Sequence, residues 1–151
     1  MTRIVLLDSG PLGLVTGPHA TPAVAACQQW LDDLLQAHVQ VRVPEISDYE
    51  VRRELLRARK TRGVQRLDQL KLRIGYVPLT TATMLQAAAF WAWLRQQGLP
   101  TADPAALDGD VILAAQAVIL AGLGDSVVIA KTNVGHLTRL APAEHWQKIT
   151  G

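Results

Sequence analysis

Apolar residues along this chain come in two kinds of run. Ile4-Val5-Leu6-Leu7 near the start and Val127-Val128-Ile129-Ala130 near the end are hydrophobic without alternation, the pattern of strands covered on both faces of a parallel sheet. Val39-Gln40-Val41-Arg42-Val43 alternates, is β-branched and closes at Pro44, which predicts a further strand. Helical spacing fills the gap between the first two strands: Ala26, Cys27, Trp30, Leu31, Leu34 and Leu35 predict a helix over 23–37, with Thr21 as its cap and Pro22 in its first turn. Strand, helix, strand implies a right-handed crossover and a parallel pair.

The pattern continues in the same alternation. A helix is expected over 45–62 with Ile46, Tyr49 and Leu56 on one face and Glu50 at its edge, and Gly63 then interrupts before a short helix over 64–73. Residues 75–79 read as an edge strand limited by Pro78. A helix over 80–97, closed by Gly98, carries a stripe of Met84, Leu85, Ala88, Trp91 and Leu94, broadened by Phe90 and Trp93. That stripe is expected in the core; the alternative is an interface between subunits. After a loop over 99–104, the stretch 107–122 is apolar nearly all round from Val111 onward, hence a buried helix, with Asp108 and Asp110 in its first turn. Residues 10–18 read as a loop, and 146–149 as a last short strand. The sum is a single α/β sandwich over 1–151.

Composition narrows the class. With 151 residues, 49% of them hydrophobic, the chain can bury one sizeable core. No apolar run nears the roughly 20 residues of a membrane span. The start passes from Met1-Thr2-Arg3 into a short strand and then Asp8, with no export signal. Cys27 is the lone cysteine, which excludes an internal disulfide and cysteine zinc sites and leaves the cytoplasm as the expected location. The net charge of +2 conceals an asymmetry: residues 52–73 hold nine basic and two acidic side chains, +7, which leaves −5 for the remainder. Such a segment, expected to be mostly unpaired, suits a polyanion such as nucleic acid; the plainer alternative is a solvated helix face.

Three carboxylates stand in comparable places. Asp8 follows the first strand, Glu50 lies on the helix after the second, and Asp110 opens the buried helix before the strand at Ser126. Open α/β sheets bind ligands at the carboxyl ends of their strands, so residues distant in sequence can form one acidic pocket there. Clustered carboxylates repel one another, and a hard divalent cation, Mg²⁺ or Mn²⁺, relieves that repulsion. Such an ion lowers the pKa of a bound water and polarises a phosphodiester. For Asp8 alone a second reading is equally open, a turn or cap residue holding backbone N–H groups. Glu45 reads as a first-turn charge favoured by the helix dipole and Glu54 as an ion-pair partner of Arg57 or of the basic neighbours of Ala58.

Taken together, Val5-Leu6-Leu7-Asp8-Ser9-Gly10-Pro11-Leu12, Val43-Pro44-Glu45-Ile46-Ser47-Asp48-Tyr49-Glu50-Val51-Arg52-Arg53-Glu54-Leu55 and Asp108-Gly109-Asp110-Val111-Ile112-Leu113-Ala114-Ala115-Gln116-Ala117 resemble, in order, the motifs of the PIN-domain nucleases, most closely the VapC-type toxins of toxin–antitoxin pairs. The resemblance implies a three-layer α/β/α PIN-like domain with a central, mainly parallel sheet of four to five strands. It implies a ribonuclease in which Asp8, Glu50 and Asp110 ligate Mg²⁺ or Mn²⁺ and an activated water cuts RNA. Ser9 would orient Asp8, and Asp108 would be a further ligand or the helix cap. Arg52, Arg53, Arg57, Arg59 and Lys60 would guide the RNA, a cognate antitoxin would block the pocket, and a homodimer is compatible with the Trp91–Trp93 region. One position departs from the pattern: Asn133 stands where many relatives carry a fourth acid, with His136 close by. An RNA-binding module of the same fold that does not cut is therefore the second reading. A receiver-type phosphotransfer domain would use a lysine such as Lys131 after a late strand, but no acceptor Asp ends a middle strand.

Overall fold

The computed structural model describes residues 2–18, 20–98, 104–135 and 137–151. Strands β1 (Arg3–Leu7), β2 (Gln40–Pro44), β3 (Tyr76–Val77), β4 (Ser126–Lys131) and β5 (Ala143–His145) form one sheet in the order β3-β2-β1-β4-β5, every pair parallel. The central β1 explains its own sequence. Val5 and Leu7 enter one core and Ile4 and Leu6 the other, all four buried, so an unalternated run is what two covered faces require.

On one face lie α1 (Ser9–Val15), α2 (Pro22–Gln36) and α4 (Thr61–Ile74), which contribute Leu12, Trp30, Leu34, Leu67 and Leu70 to the core. On the other lies α6 (Pro104–Ala121), with Leu113, Ala114 and Ala117 against the sheet. Outside it α5 (Thr81–Gln96) packs Ala87 and Leu94 against Leu107, Val111 and Ala115. The remaining helix, α3 (Glu45–Arg57), straddles the two layers: Ile46 joins the second core while Val51 and Leu55 pack on the first. It begins directly after β2 and so sits at the carboxyl edge of the sheet.

Several boundaries follow the sequence closely. Thr21 and Thr80 cap α2 and α5 through their side-chain oxygens, which accept from Val24 and Thr83 backbone N–H groups at 3.2 and 3.1 Å. Others correct it. Residues 9–15 are helix where a loop is expected, because Pro11 lies in the first turn, where its missing N–H has no intrahelical partner to lose. The break after α3 falls at Ala58–Lys60, with Arg59 at φ +56°, and not at Gly63. Gly63 instead lies inside α4 beneath Leu55, whose Cδ2 would be 2.7 Å from a Cβ there. The tract over 146–149 is a 3-10 turn (Trp146–Lys148) following β5, held by Trp30 Nε1 donating to the Ile149 carbonyl at 2.9 Å and by Trp30 meeting the Trp146 ring edge-on.

Two expected core faces point elsewhere. In α3, Tyr49 and Leu56 are exposed, and Ser47 and Asp48 are buried beside Ile46. In α5 only Leu94 of the expected stripe is buried against α6, beside Ala87 and a partly buried Phe90, while Met84, Leu85, Trp91 and Trp93 reach solvent. The loop expected over 99–104 falls for residues 99–103 outside the described residues, and the described helix opens at Pro104. No helix among the described residues is long and apolar enough to cross a membrane.

Candidate active site

Asp8 extends the β1–β4 ladder by one step, its N–H donating to the Ala130 carbonyl at 3.0 Å. It is the residue before α1, yet its side chain makes no capping bond, so holding the loop's N–H groups is not its role. The carboxylate instead meets Lys131 Nζ at 3.5 Å. Lys131 ends β4 and is only 5% exposed, and the same ammonium lies 3.5 Å from Asp110 Oδ1. The sequence names this lysine only for a phosphotransfer alternative. Its signal is the register: Leu7 pairs with Ala130, which sets Lys131 abreast of Asp8.

Asp110 lies beyond the first turn of α6, because the helix opens at Pro104. Capping therefore accounts for neither Asp108 nor Asp110. The two point apart, about 200° around the helix. Asp108 is exposed beside Met84 and Trp91 in the groove between α5 and α6, away from Asp8. Glu50 reaches the cluster from α3. Its carboxylate lies against Gly109, where a Cβ would come within 2.8 Å of Oε2.

The charges interact. Burial, then the negative charges of Asp8 and Asp110, push the Glu50 carboxyl above its usual range, opposed by Arg53 and Lys131. Burial raises Asp110 likewise, and Asp8 adds to it while Lys131 opposes. Three hard oxygen donors under mutual repulsion suit a divalent cation of the Mg²⁺ or Mn²⁺ kind. As the side chains stand, no group of three or more Asp, Glu, His or Cys residues among those described converges closely enough to hold an ion. The donor chemistry fits such a cation, with Lys131 spanning two of the three donors.

Around this cluster, Ser9 opens α1 and lines a cleft of about 500 Å³ together with Glu50, Arg53, Arg57 and Lys60. Glu54 lines the same cleft, so Glu50 belongs both to the cluster and to a cleft of mixed charge. Gly10 lets α1 pass over Thr132, since a Cβ there would lie 2.5 Å from Oγ1. Asn133 is exposed just past β4, and His136 lies outside the described residues.

The basic segment is more paired than its composition suggests. Arg52 binds Asp48 at 2.9 Å and Asp68 at 2.6 Å, and Lys71 approaches Asp48 at 3.5 Å. Arg57 pairs with Glu54 at 2.8 Å, as expected, and Arg73 with Asp32 at 2.9 Å. Arg66 donates to the Thr16 carbonyl at 2.5 Å. Packing of α3 on α4 brings Asp68 to Arg52 and Asp48 to Lys71, and α2 supplies Asp32 to Arg73, which charge counting cannot show. Among the described residues no ion pair is recorded for Arg53, Arg59, Lys60 or Arg62; Arg53 lies over the Tyr49 ring at 5.1 Å. Glu45, at the start of α3, accepts from the Leu79 N–H at 2.7 Å and so ties the helix to the chain beyond β3.

A five-stranded parallel sheet between helical layers, with acids gathered at its carboxyl edge, is a three-layer PIN-like fold. The chain is similar to VapBC2 from Rickettsia felis bound to a DNA fragment from their promoter, at 15% identity over 95% of this chain and 98% of that one, with a TM-score of 0.71. It is also similar to FitAcB from Neisseria gonorrhoeae (18% identity, 96% and 99% covered, TM-score 0.69) and to VapBC-1 from nontypeable Haemophilus influenzae (16%, 96% and 99%, 0.66). The motif resemblance therefore holds at the level of fold. No protein-family model and no curated protein matches the chain.

Proposed function

We propose that residues 1–151 act as one PIN-like unit, a divalent-metal-dependent endoribonuclease and the toxin of a toxin–antitoxin pair, working in the cytoplasm. The observation that supports this reading is that Asp8, Glu50 and Asp110, from three separate elements, lie near enough to one another for their charges to interact, with Lys131 between Asp8 and Asp110. Asp8, Glu50 and Asp110 would hold Mg²⁺ or Mn²⁺, and a bound ion of this kind supplies a more acidic water and a polarised phosphodiester. The chain's own contribution is to fix the donors: the β1–β4 ladder holds Asp8, the rigid α6 holds Asp110, and Gly109 leaves room for Glu50. Ser9, beside Asp8, would help to orient it. The cleft bearing Arg53, Arg57 and Lys60 leads to Glu50 and would guide a polyanion toward the acids.

The likeness to VapBC complexes supports a cognate antitoxin as partner. The exposed Met84, Leu85, Trp91 and Trp93 of α5 would serve a second copy of this chain. A non-cutting RNA-binding module is the second reading, favoured by Asn133 at the fourth acidic position and by Lys131 among the acids. Cleavage of labelled total RNA and tRNA with Mg²⁺, Mn²⁺ or EDTA, beside Asp8→Asn and Asp110→Asn, decides between them. Metal-dependent cutting lost in both variants is the expected result. RNA binding without cutting under any metal overturns it in favour of the module.

A further inference from the structure

Lys131 is the feature that the site's proposed chemistry does not use. It is a buried cation at the end of β4, and burying an ammonium is costly unless it is paired. Its pairing is divided: 3.5 Å to Asp8 Oδ2 and 3.5 Å to Asp110 Oδ1. Both distances exceed the N–H···O optimum, so neither carboxylate owns the ammonium. A lysine present merely to satisfy one acid would close on it. Here the geometry is that of a bridge between strand and helix. The third acid, Glu50, approaches from α3 and feels the same charge.

We propose that Lys131 is a tethered counter-ion: its ammonium holds Asp8 and Asp110 together, offsets one of the cluster's three negative charges, and so restricts the site to a single divalent cation bound with restrained affinity. The inference rests on the metal-dependent reading above. Three carboxylates and one ammonium carry two net negative charges, which one divalent ion neutralises. A second ion would make the cluster positive at short range, where charge interactions are strong. Lys131 is thus a positioning residue.

The test is Mn²⁺ binding to the full chain, by calorimetry and by the paramagnetic resonance signal of free Mn²⁺, without RNA. The wild type is expected to bind one ion per chain. Lys131→Met, of similar length and neutral, is expected to bind its first ion about tenfold tighter or more, and Lys131→Arg to return toward the wild-type affinity. If Lys131→Met folds only with Mn²⁺, the ion has replaced the missing ammonium and the proposal is supported. If it stays unfolded in saturating Mn²⁺, or folds and binds no tighter than wild type, Lys131 has a packing role and the proposal fails. Failure of this inference alone leaves a wild type that still binds Mn²⁺ and cuts RNA. If neither protein binds Mn²⁺, the metal-dependent reading fails with it.

Discussion

Gly109 and Glu50 face each other across the α3–α6 contact so closely that a Cβ on residue 109 would lie 2.8 Å from Glu50 Oε2. Glycine inside a helix costs about 0.5–1 kcal/mol relative to alanine, so its presence in the interior of α6 needs a reason, and the Glu50 carboxylate is that reason. In Gly109→Ala the methyl meets the far end of a flexible side chain, which can swing away. Melting is therefore expected to stay within about 3 °C of wild type, since better propensity offsets the contact. RNA cleavage and Mn²⁺ affinity are expected to fall about tenfold or more, because Glu50 no longer holds its place. Undiminished cleavage in this variant would remove Glu50 from the working site.

Glu50 is also where acidity and stability couple. Its carboxyl is raised by burial and by Asp8 and Asp110, so the native state keeps this proton to higher pH than the unfolded chain does. Between the two values the native state binds more protons, and stability falls as pH rises through that window. The full penalty is present once the pH has passed the native value. Glu50→Gln removes it and is expected to raise the melting temperature in EDTA by up to a few degrees, a gain limited by the group's partial exposure. The difference should shrink toward about pH 4, where both states hold the proton, and shrink again when Mn²⁺ stabilises the wild type by binding. Melting curves over pH, with and without metal, check the sign.

These two cases show what a sequence can disclose about this molecule. Buried parallel strands announce themselves, because two covered faces demand an unbroken apolar run such as Ile4-Val5-Leu6-Leu7. Asp8, Glu50 and Asp110 could be brought together on paper because parallel topology sends strand ends to one edge. Lys131 was hidden for the opposite reason: a lysine after a strand is unremarkable until the β1–β4 register places it beside Asp8. Glycines misled in a consistent way. Gly10 and Gly63 read as breaks, but both lie inside helices and are small because Thr132 and Leu55 occupy the space of their missing side chains. Close approach between elements is a tertiary fact that local propensity does not carry.

Gly10 supplies a test of that point. A Cβ there would lie 2.5 Å from Thr132 Oγ1 and 2.7 Å from Cγ2. Gly10→Ala is expected to destabilise by about 1–3 kcal/mol, the usual cost of overpacking. Thr132→Ala removes both offending atoms, so the double variant should recover much of the loss. A double-mutant cycle from denaturant melts measures the coupling. Additive effects would mean that α1 does not pack on Thr132.

The adjacent arginines Arg52 and Arg53 should separate stability from RNA binding. Arg52 is held by Asp48 and Asp68, and the Asp48 side chain is only 10% exposed. Its removal leaves Asp48 with Lys71 alone at 3.5 Å. Arg52→Ala is thus expected to cost about 1–3 kcal/mol of stability, with little change in RNA affinity once the protein is folded. Arg53 lines the cleft with its guanidinium over Tyr49. Arg53→Ala should melt near wild type but bind single-stranded RNA more weakly across sequences, with the salt slope reduced by about 0.7 for one lost phosphate contact. Fluorescence polarisation over a salt series in EDTA, beside thermal melts, reads both quantities. An Arg52→Ala protein with unchanged melting and a shallower salt slope would make Arg52 a nucleic-acid contact and its ion pairs incidental.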